Sequence, residues 1–419
     1  MPTLVLTAFL IFFTIEFVLE RVLSVLNAWH VRAHGGMPPE ELKDALPPEF
    51  FPRSVEYTLA RTRFGHVSAA WNALFTLLYL FSGLIPWLNG FVVGALDLQG
   101  GSLTHGVAFL VAFSLINTLA HLPLQLYSTF KLEARFGFNK MDLRTFFLDK
   151  LKGLMLGAIL GIPFLYALLA FMAGSGPLWW LWASLFVIGF QFLMRILHPL
   201  VITPLFNKFT PLEPGELKER LEALARDAGF ATRGIFVMDG SKRSAHSNAY
   251  LTGIGRAHRI VLFDTLIQQL NVAELAAVLA HEIGHYKKKH IQKMLLVLSL
   301  LTVGGFYVLS LLINWRPLYE AFGISTPSLH VGLLLFSLLA GYFTFWVEPL
   351  FNLLSRKHEY EADAYAAAQT RATAPMETAL VKLHEKNLSP LTPHPAYSAY
   401  HYSHPTLLER IRALRNSGF

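Results

Sequence analysis

The chain has 419 residues, 53% of them hydrophobic and only 15% charged, with a net charge of +7 and no cysteine. A soluble protein of this size carries about 25% charged residues, so the composition excludes an ordinary soluble enzyme and indicates a membrane protein. Without cysteine there are no disulfides, and any zinc must be held by histidine and carboxylate.

Seven apolar stretches are long enough to cross a bilayer, which takes about 20 helical residues. They run roughly Pro2–Ala28, Val67–Leu96, His105–Tyr127, Gly153–Ala173, Leu178–Ile202, Gln292–Asn314 and Leu329–Leu350. The first lacks a basic flank and a small-residue cleavage site, and reads as a retained span. All eight tryptophans lie near span ends, as an interfacial belt would place them. The loop charges alternate. Arg32, Lys43, Arg53, Arg61 and Arg63 follow span one, and Lys131, Arg135, Lys140, Arg144, Lys150 and Lys152 follow span three, whereas the segments Asp97–Thr104 and Gly174–Pro177 have no Lys or Arg. The long loop after span five and the tail are basic again, which places the N-terminus outside and both of these inside. This alternation fits membrane topology and not nucleic acid.

The spans carry charge and polarity at Glu16, Glu20, Asn117, His121, Arg195, His198 and Glu348. Such groups face a bundle interior or a water-filled cavity, so a wet interior is expected; the alternative is a set of paired structural polars. Gly153, Gly157 and Gly161, at steps of four, predict close helix packing in span four.

The loop from Asn207 to Ile291 reads as a small soluble α/β insertion. Glu213–Asp227 is an amphipathic helix with Leu217, Leu221 and Leu224 on one face, and Ile235–Met238 is a short strand. Asn248–Leu251 and Ile260–Phe263 flank Gly253 and Gly255 as a hairpin. A helix then starts at Asn271, with Glu274 completing a capping box. It holds His281-Glu282-Ile283-Gly284-His285. Four residues apart on a helix, His281 and His285 lie about 40° from one another on one face and can grip one metal ion. Glu282 is placed to act as general base on a water held beside that metal. The basic run Lys287, Lys288, Lys289, His290 marks the cytoplasmic membrane edge. His285 and Gln292 are separated by only about 10 Å if the helix continues, so the metal is expected at the membrane boundary or in a chamber opening there.

A zinc site needs a third protein ligand and an open position. Ser355 to Asp363 supplies the candidates: Glu359, 74 residues after His285, with Asp363 one turn on as an acceptor for a ligand histidine. His358 is a possible ligand by chemistry alone, and Glu361 faces elsewhere as a solvated charge. Near the end, His404 is a candidate donor to an oxyanion, and Arg410 is placed to orient Glu359, Asp363 or substrate. The alternative for His404-Pro405 is a helix start.

These residues resemble the type I CAAX prenyl proteases, integral-membrane zinc metalloendopeptidases. The resemblance extends to Gly137-Phe138-Asn139-Lys140, to Pro204 through Leu212, to Ser247-Asn248-Ala249-Tyr250, to Ser355-Arg356 with Glu359 and Asp363, and to His401 through Pro405 with Arg410. It implies a polytopic α-helical fold with seven transmembrane helices around a large hydrated chamber, and a small cytoplasmic α/β metallopeptidase insertion. It implies one zinc per chain on His281, His285 and Glu359, Glu282 as base and His404 as donor to the intermediate. Asp363 and Arg410 stand behind the ligands. Asn248, Ala249 and Tyr250 form an edge strand that pairs with extended substrate.

The chain is accordingly divided into 1–202 (spans one to five), 203–291 (the insertion), 292–355 (spans six and seven) and 356–419 (a C-terminal helical segment). The expected activity is hydrolysis of membrane-associated or CAAX-like C-terminal peptides, prenylated or not, with the bilayer as the other partner and no nucleic acid. A monomer suffices for such a site. Chain length and Ala/Leu/Arg usage suggest a bacterial inner-membrane protein, and a quality-control protease with no prenyl substrate is the alternative function. A transporter would explain the intramembrane charges but not the histidine pair with its distant glutamate. A dead scaffold would not retain Glu282.

Overall fold

The computed structural model describes residues 1–37, 39–253 and 258–418. Gly255 of the expected hairpin lies outside them. α1 (Pro2–His34) and α2 (Phe50–Phe81) are followed by the short apolar α3 (Leu84–Ala95), then by α4 (Leu103–Glu133), α5 (Leu143–Gly174) and α6 (Gly176–Phe206). The expected single span Val67–Leu96 is thus two helices. Gly83, at φ +79°, takes a left-handed conformation that ends α2 and starts α3.

Wide π-turns interrupt α5 at Gly157–Gly161 and α6 at His198–Ile202, beside Pro163 and Pro199. A proline removes one i→i−4 donor and crowds the preceding turn, which widening relieves. The glycine stripe does not pack as expected. A Cβ added at Gly153, Gly157 or Gly161 would meet nothing within 4 Å.

The insertion holds a four-stranded sheet, β1 (Phe209–Pro211), α7 (Glu216–Asp227), β2 (Thr232–Met238), β3 (Ala249–Thr252) and β4 (His258–Phe263), in spatial strand order β1-β2-β4-β3. β2 and β4 are parallel, and β3 pairs antiparallel with β4, Ala249 opposite Leu262 and Thr252 opposite Arg259. β3 is therefore an edge strand, with Asn248 just before it. α8 (Val272–Lys287) lies on the sheet. Its Leu275, Leu279 and Ile283 share one core with Leu221 and Leu224 of α7 and with Ile235, Ile260 and Leu262 of the sheet. The capping box is present as expected, with Asn271 and Glu274 each accepting from the other's backbone N–H.

α8 does not run on into the next span. Lys289, at φ +57°, breaks the helix, and α9 (His290–Leu312) starts afresh. The seventh span is also broken, into α10 (Leu329–Thr344) and α11 (Glu348–Thr370), bent by 63°. Pro349 in the first turn of α11 has no N–H to continue the preceding helix. α12 (Ala374–Lys386), α13 (Pro395–His401) and α14 (Leu407–Arg415) complete the chain.

At most 17% of the apolar window of any of the six unbroken spans is buried inside the protein. Packing between the spans is concentrated in two apolar clusters, one around Phe9, Tyr79 and Phe109 and one around Leu168, Leu169 and Leu309. Polar groups on the spans do pair: Tyr79 donates to Asn117 Oδ1 at 3.2 Å, and His121 Nε2 lies 3.0 Å from Asn72 Oδ1. Arg195 and His198 instead line a cavity of about 560 Å³ shared with Asn248, Tyr250 and Thr252. The intramembrane polarity is therefore partly structural pairing and partly the wall of a space that reaches the edge strand.

Candidate metal centre

α8 and α11 pack side by side at unusually close range. A Cβ on Gly284 would come within 3.1 Å of the Ala362 Cα and within 3.2 Å of its carbonyl oxygen. Backbone atoms cannot yield as a flexible side chain can, so the glycine between the two histidines sets how near α11 comes. That approach brings Glu359 and Asp363, one turn apart on α11, against His281 and His285, one turn apart on α8.

The three proposed ligand side chains converge. His281 Nε2 and His285 Nε2 are 3.0 Å apart, His281 Nε2 lies 3.5 Å from Glu359 Oε2, and His285 Nε2 lies 3.3 Å from Glu359 Oε1. A zinc ion about 2.0–2.1 Å from each of three tetrahedral ligand atoms requires edges of about 3.3–3.4 Å. The observed separations of 3.0 to 3.5 Å bracket that edge, with each carboxylate oxygen of Glu359 facing one of the histidines. The buried Glu359 Oε2 has no hydrogen-bond partner, and two imidazole nitrogens aimed at one another leave a lone pair unused; a shared cation satisfies all of them. The residues present fit a zinc ion with one open position.

Groups behind the ligands fix their orientation. His281 Nδ1 donates to Asp363 Oδ1 at 2.8 Å, which leaves the Nε2 lone pair facing Glu359. Asp363 is held in turn by Arg410, whose Nε and Nη2 donate to its two oxygens at 2.8 and 2.6 Å. Arg410 Nη1 also lies 3.6 Å from Glu359. Thus Arg410, on α14, ties the last helix to both carboxylates.

Behind His285 stands a second relay that the sequence reading missed. His285 Nδ1 meets His290 Nδ1 at 3.0 Å, and His290 Nε2 meets Glu361 Oε2 at 3.0 Å. A carboxylate only accepts, so His290 donates from Nε2 and accepts at Nδ1 a hydrogen bond from the Nδ1–H of His285. His285 Nε2 is then free for a metal. Glu361 is therefore not a lone solvated charge, as expected above, but the end of this relay. His358 stacks on His290, ring centroids 4.0 Å apart, and is not among the converging ligands.

Without an ion, burial pushes His281 down, and Asp363 and Glu359 more than reverse this, raising it to about 9. Burial also pushes the Glu282 carboxyl up, against the lowering effect of His281 and His285. His404 Nε2 lies 3.4 Å from Glu359 Oε1 with its side chain 62% exposed, so it stands at the open side of the cluster. The structure thus brings His281, Glu282, His285, Glu359, Asp363, His404 and Arg410 together, with Asn248, Ala249 and Tyr250 at the neighbouring sheet edge.

Comparisons with known proteins cover nearly the whole chain. Residues 27–208 match the CAAX prenyl protease N-terminal family, described as five membrane helices, and residues 211–417 match peptidase family M48. The chain is 39% identical over 383 residues to the CAAX prenyl protease 1 homolog of Arabidopsis thaliana, covering 90% of each. It is 38% identical to CAAX prenyl protease 1 of Saccharomyces cerevisiae, covering 90% of this chain and 88% of the relative. The crystal structure of S. mikatae Ste24p superposes with a TM-score of 0.92 at 36% identity, covering 99% of each chain.

Proposed function

The chain belongs to the CAAX prenyl protease branch of peptidase family M48 and is a multi-pass membrane metalloprotease, and on that premise we propose that it is a zinc endopeptidase acting on membrane-associated or CAAX-like C-terminal peptides. The observation that carries this reading is the triangle of His281, His285 and Glu359, with Glu282 beside it. These three residues would hold a zinc ion, which would supply Lewis acidity toward a scissile carbonyl. Glu282 takes the proton of the attacking water and delivers it to the departing amine. His404 donates to the carbonyl oxygen as it gains charge. Asp363 and Arg410 keep His281 and Glu359 in place, and His290 with Glu361 does the same for His285. Incubating purified protein with a peptide library and mapping products by mass spectrometry tests the activity. Product-free incubations of the metal-loaded protein would overturn it.

Substrate would bind by adding a strand to β3, mainly through backbone hydrogen bonds. Each N-methylation of a substrate amide near the scissile bond removes a donor that the edge strand needs. Such methylation is expected to slow cleavage more than exchanging the neighbouring side chains. The opposite ranking, read from kcat/KM, would rule out pairing with β3.

The alternating loop charges support a metal centre on the cytoplasmic side, and the composition supports a bacterial inner membrane. The chain has no cysteine, so single-cysteine variants give a clean background. An impermeant maleimide on intact cells is expected to label cysteines at Ser102 and Ser175 and to spare those at Glu216 and Ser417. Ser54, on the inner side by charge, is a poor probe because it is buried and donates to the Leu388 carbonyl. Labelling at Glu216 without labelling at Ser102 would reverse the topology.

A further inference from the structure

A polar cavity of about 370 Å³ opens where α1, α2 and the segments flanking α13 meet, lined by Arg21, Tyr57, Arg61, Asn387, Tyr397 and Tyr402. Its lining carries two arginines against one carboxylate, with a second carboxylate, Glu133, behind Tyr57. The one lining carboxylate, Glu20, lies a loose 3.9 Å from Arg21 Nη2 and is shared with His401 Nε2 at 3.5 Å. Arg21 donates from Nη1 to the Gly65 carbonyl at 3.3 Å, but its buried Nε has no partner. Arg61 lies over the Tyr57 ring, 5.6 Å from the centroid, and enters no ion pair among the described residues. The Tyr57 hydroxyl is taken by Glu133, to which it donates at 3.0 Å, but two guanidinium groups with the Tyr397 and Tyr402 hydroxyls and the Asn387 amide nearby suit an oxyanion that accepts several hydrogen bonds at once.

The cavity borders both halves of the metal centre. Asn387 Oδ1 lies 2.6 Å from His246 Nδ1, and His246 is two residues before Asn248 at the start of the edge strand. Tyr402 is two residues before His404, whose Nε2 lies 3.4 Å from Glu359. Two residues of chain span at most roughly 7 Å. Antiparallel pairing is the commoner and slightly more stable arrangement of strands. A peptide paired that way with β3 runs from Thr252 toward Ala249, so its C-terminal end leaves the strand beside His246 and this cavity.

We propose that the cavity receives the free C-terminal carboxylate of the substrate, bound by Arg61 and Arg21. This rests on the peptidase reading and deepens it. An edge strand that reads backbone alone does not select one peptide bond among many. A carboxylate anchored a fixed distance from Glu282 does, by holding the C-terminus so that one bond a few residues upstream meets the base.

Binding can be measured apart from turnover with the full-length Glu282→Gln protein in detergent. The probes are an N-acetylated apolar hexapeptide ending in a free carboxylate and the same peptide ending in carboxamide, titrated calorimetrically. The acid is expected to bind roughly 10- to 100-fold more tightly, the worth of a charge-assisted hydrogen bond. Adding Arg61→Gln is expected to bring the ratio near one while leaving the affinity for the amide unchanged, which also reports an intact fold. Arg61→Lys is expected to keep part of the preference. Equal affinity for acid and amide before the arginine is changed, or a full preference after it, would overturn the proposal. A ratio near one together with displacement by inorganic phosphate would assign the cavity to a free or lipid phosphate and equally overturn it. Because these titrations need no hydrolysis, failure of the unmodified protein to cleave peptides would count against the peptidase reading alone.

Discussion

A Glu282→Gln protein is expected to fold, to bind one metal per chain, and to cleave peptide at least roughly 10²- to 10⁴-fold more slowly than the unmodified chain. The substitution keeps the size of the side chain and removes only its ability to take a proton. Glu282 sits on α8 between two core positions: Ala280 and Ile283 are fully buried, so the helix cannot rotate to offer another group in its place. No other carboxylate substitutes for it. Glu359 faces both histidines, Asp363 is committed to Arg410 and His281, and Glu361 is committed to His290. Turnover by single-turnover kinetics, with metal measured on the same sample, checks the expectation. Near-normal turnover in the metal-loaded variant would remove Glu282 from the chemistry.

The second large effect is expected at Glu359. Glu359→Ala removes the one anionic member of the proposed ligand set and leaves two imidazoles 3.0 Å apart, so the protein is expected to lose its metal on dialysis. Asp363→Ala acts one step back. It frees His281 to rotate and leaves Arg410 without its bidentate partner, and the expected loss is roughly 10- to 100-fold in metal affinity or activity. Glu361→Ala acts two steps back, through His290, and is expected to keep its metal. Elemental analysis of the three dialysed variants ranks them. If Glu361→Ala were stripped while Glu359→Ala stayed loaded, the ligand assignment on α11 would be out of register.

What could be read before the structure was local. Four-residue spacing places His281 and His285 on one helix face, and Asn271 with Glu274 marks where that helix starts. The same holds for the apolar stretches, because a bilayer requires about 20 helical residues whatever surrounds them. Glu359 stood further off, 74 residues from His285. Periodicity could pair it with Asp363 on one face but not aim that face at α8. The resemblance supplied that contact, and Gly284 is its physical basis.

Other features had no local signature. The relay from His285 through His290 to Glu361 crosses a helix break at Lys289, where 3.6-residue periodicity stops predicting neighbours. Glu361 was misread because two residues turn a helix by about 200°, away from Glu359, and nothing in the sequence says that His290 waits on that side. The glycines of α5 repeat every four residues as packing glycines do, yet no neighbouring chain comes near them. The breaks at Gly83 and at the start of α11 fall inside apolar runs that composition reads as continuous.

The sequence by itself determined the membrane class, the paired histidines with Glu282 between them, and the amphipathic elements of the insertion, since each depends on residues within a turn or two of one another. Only the tertiary structure decided which acidic residues meet the histidines, what stands behind each ring, and how the cavity lined by Arg195 and His198 joins the edge strand. Those depend on the distance between helices far apart in the chain, and that distance is set by a Cβ missing at Gly284 and by turns at Lys289 and Pro349.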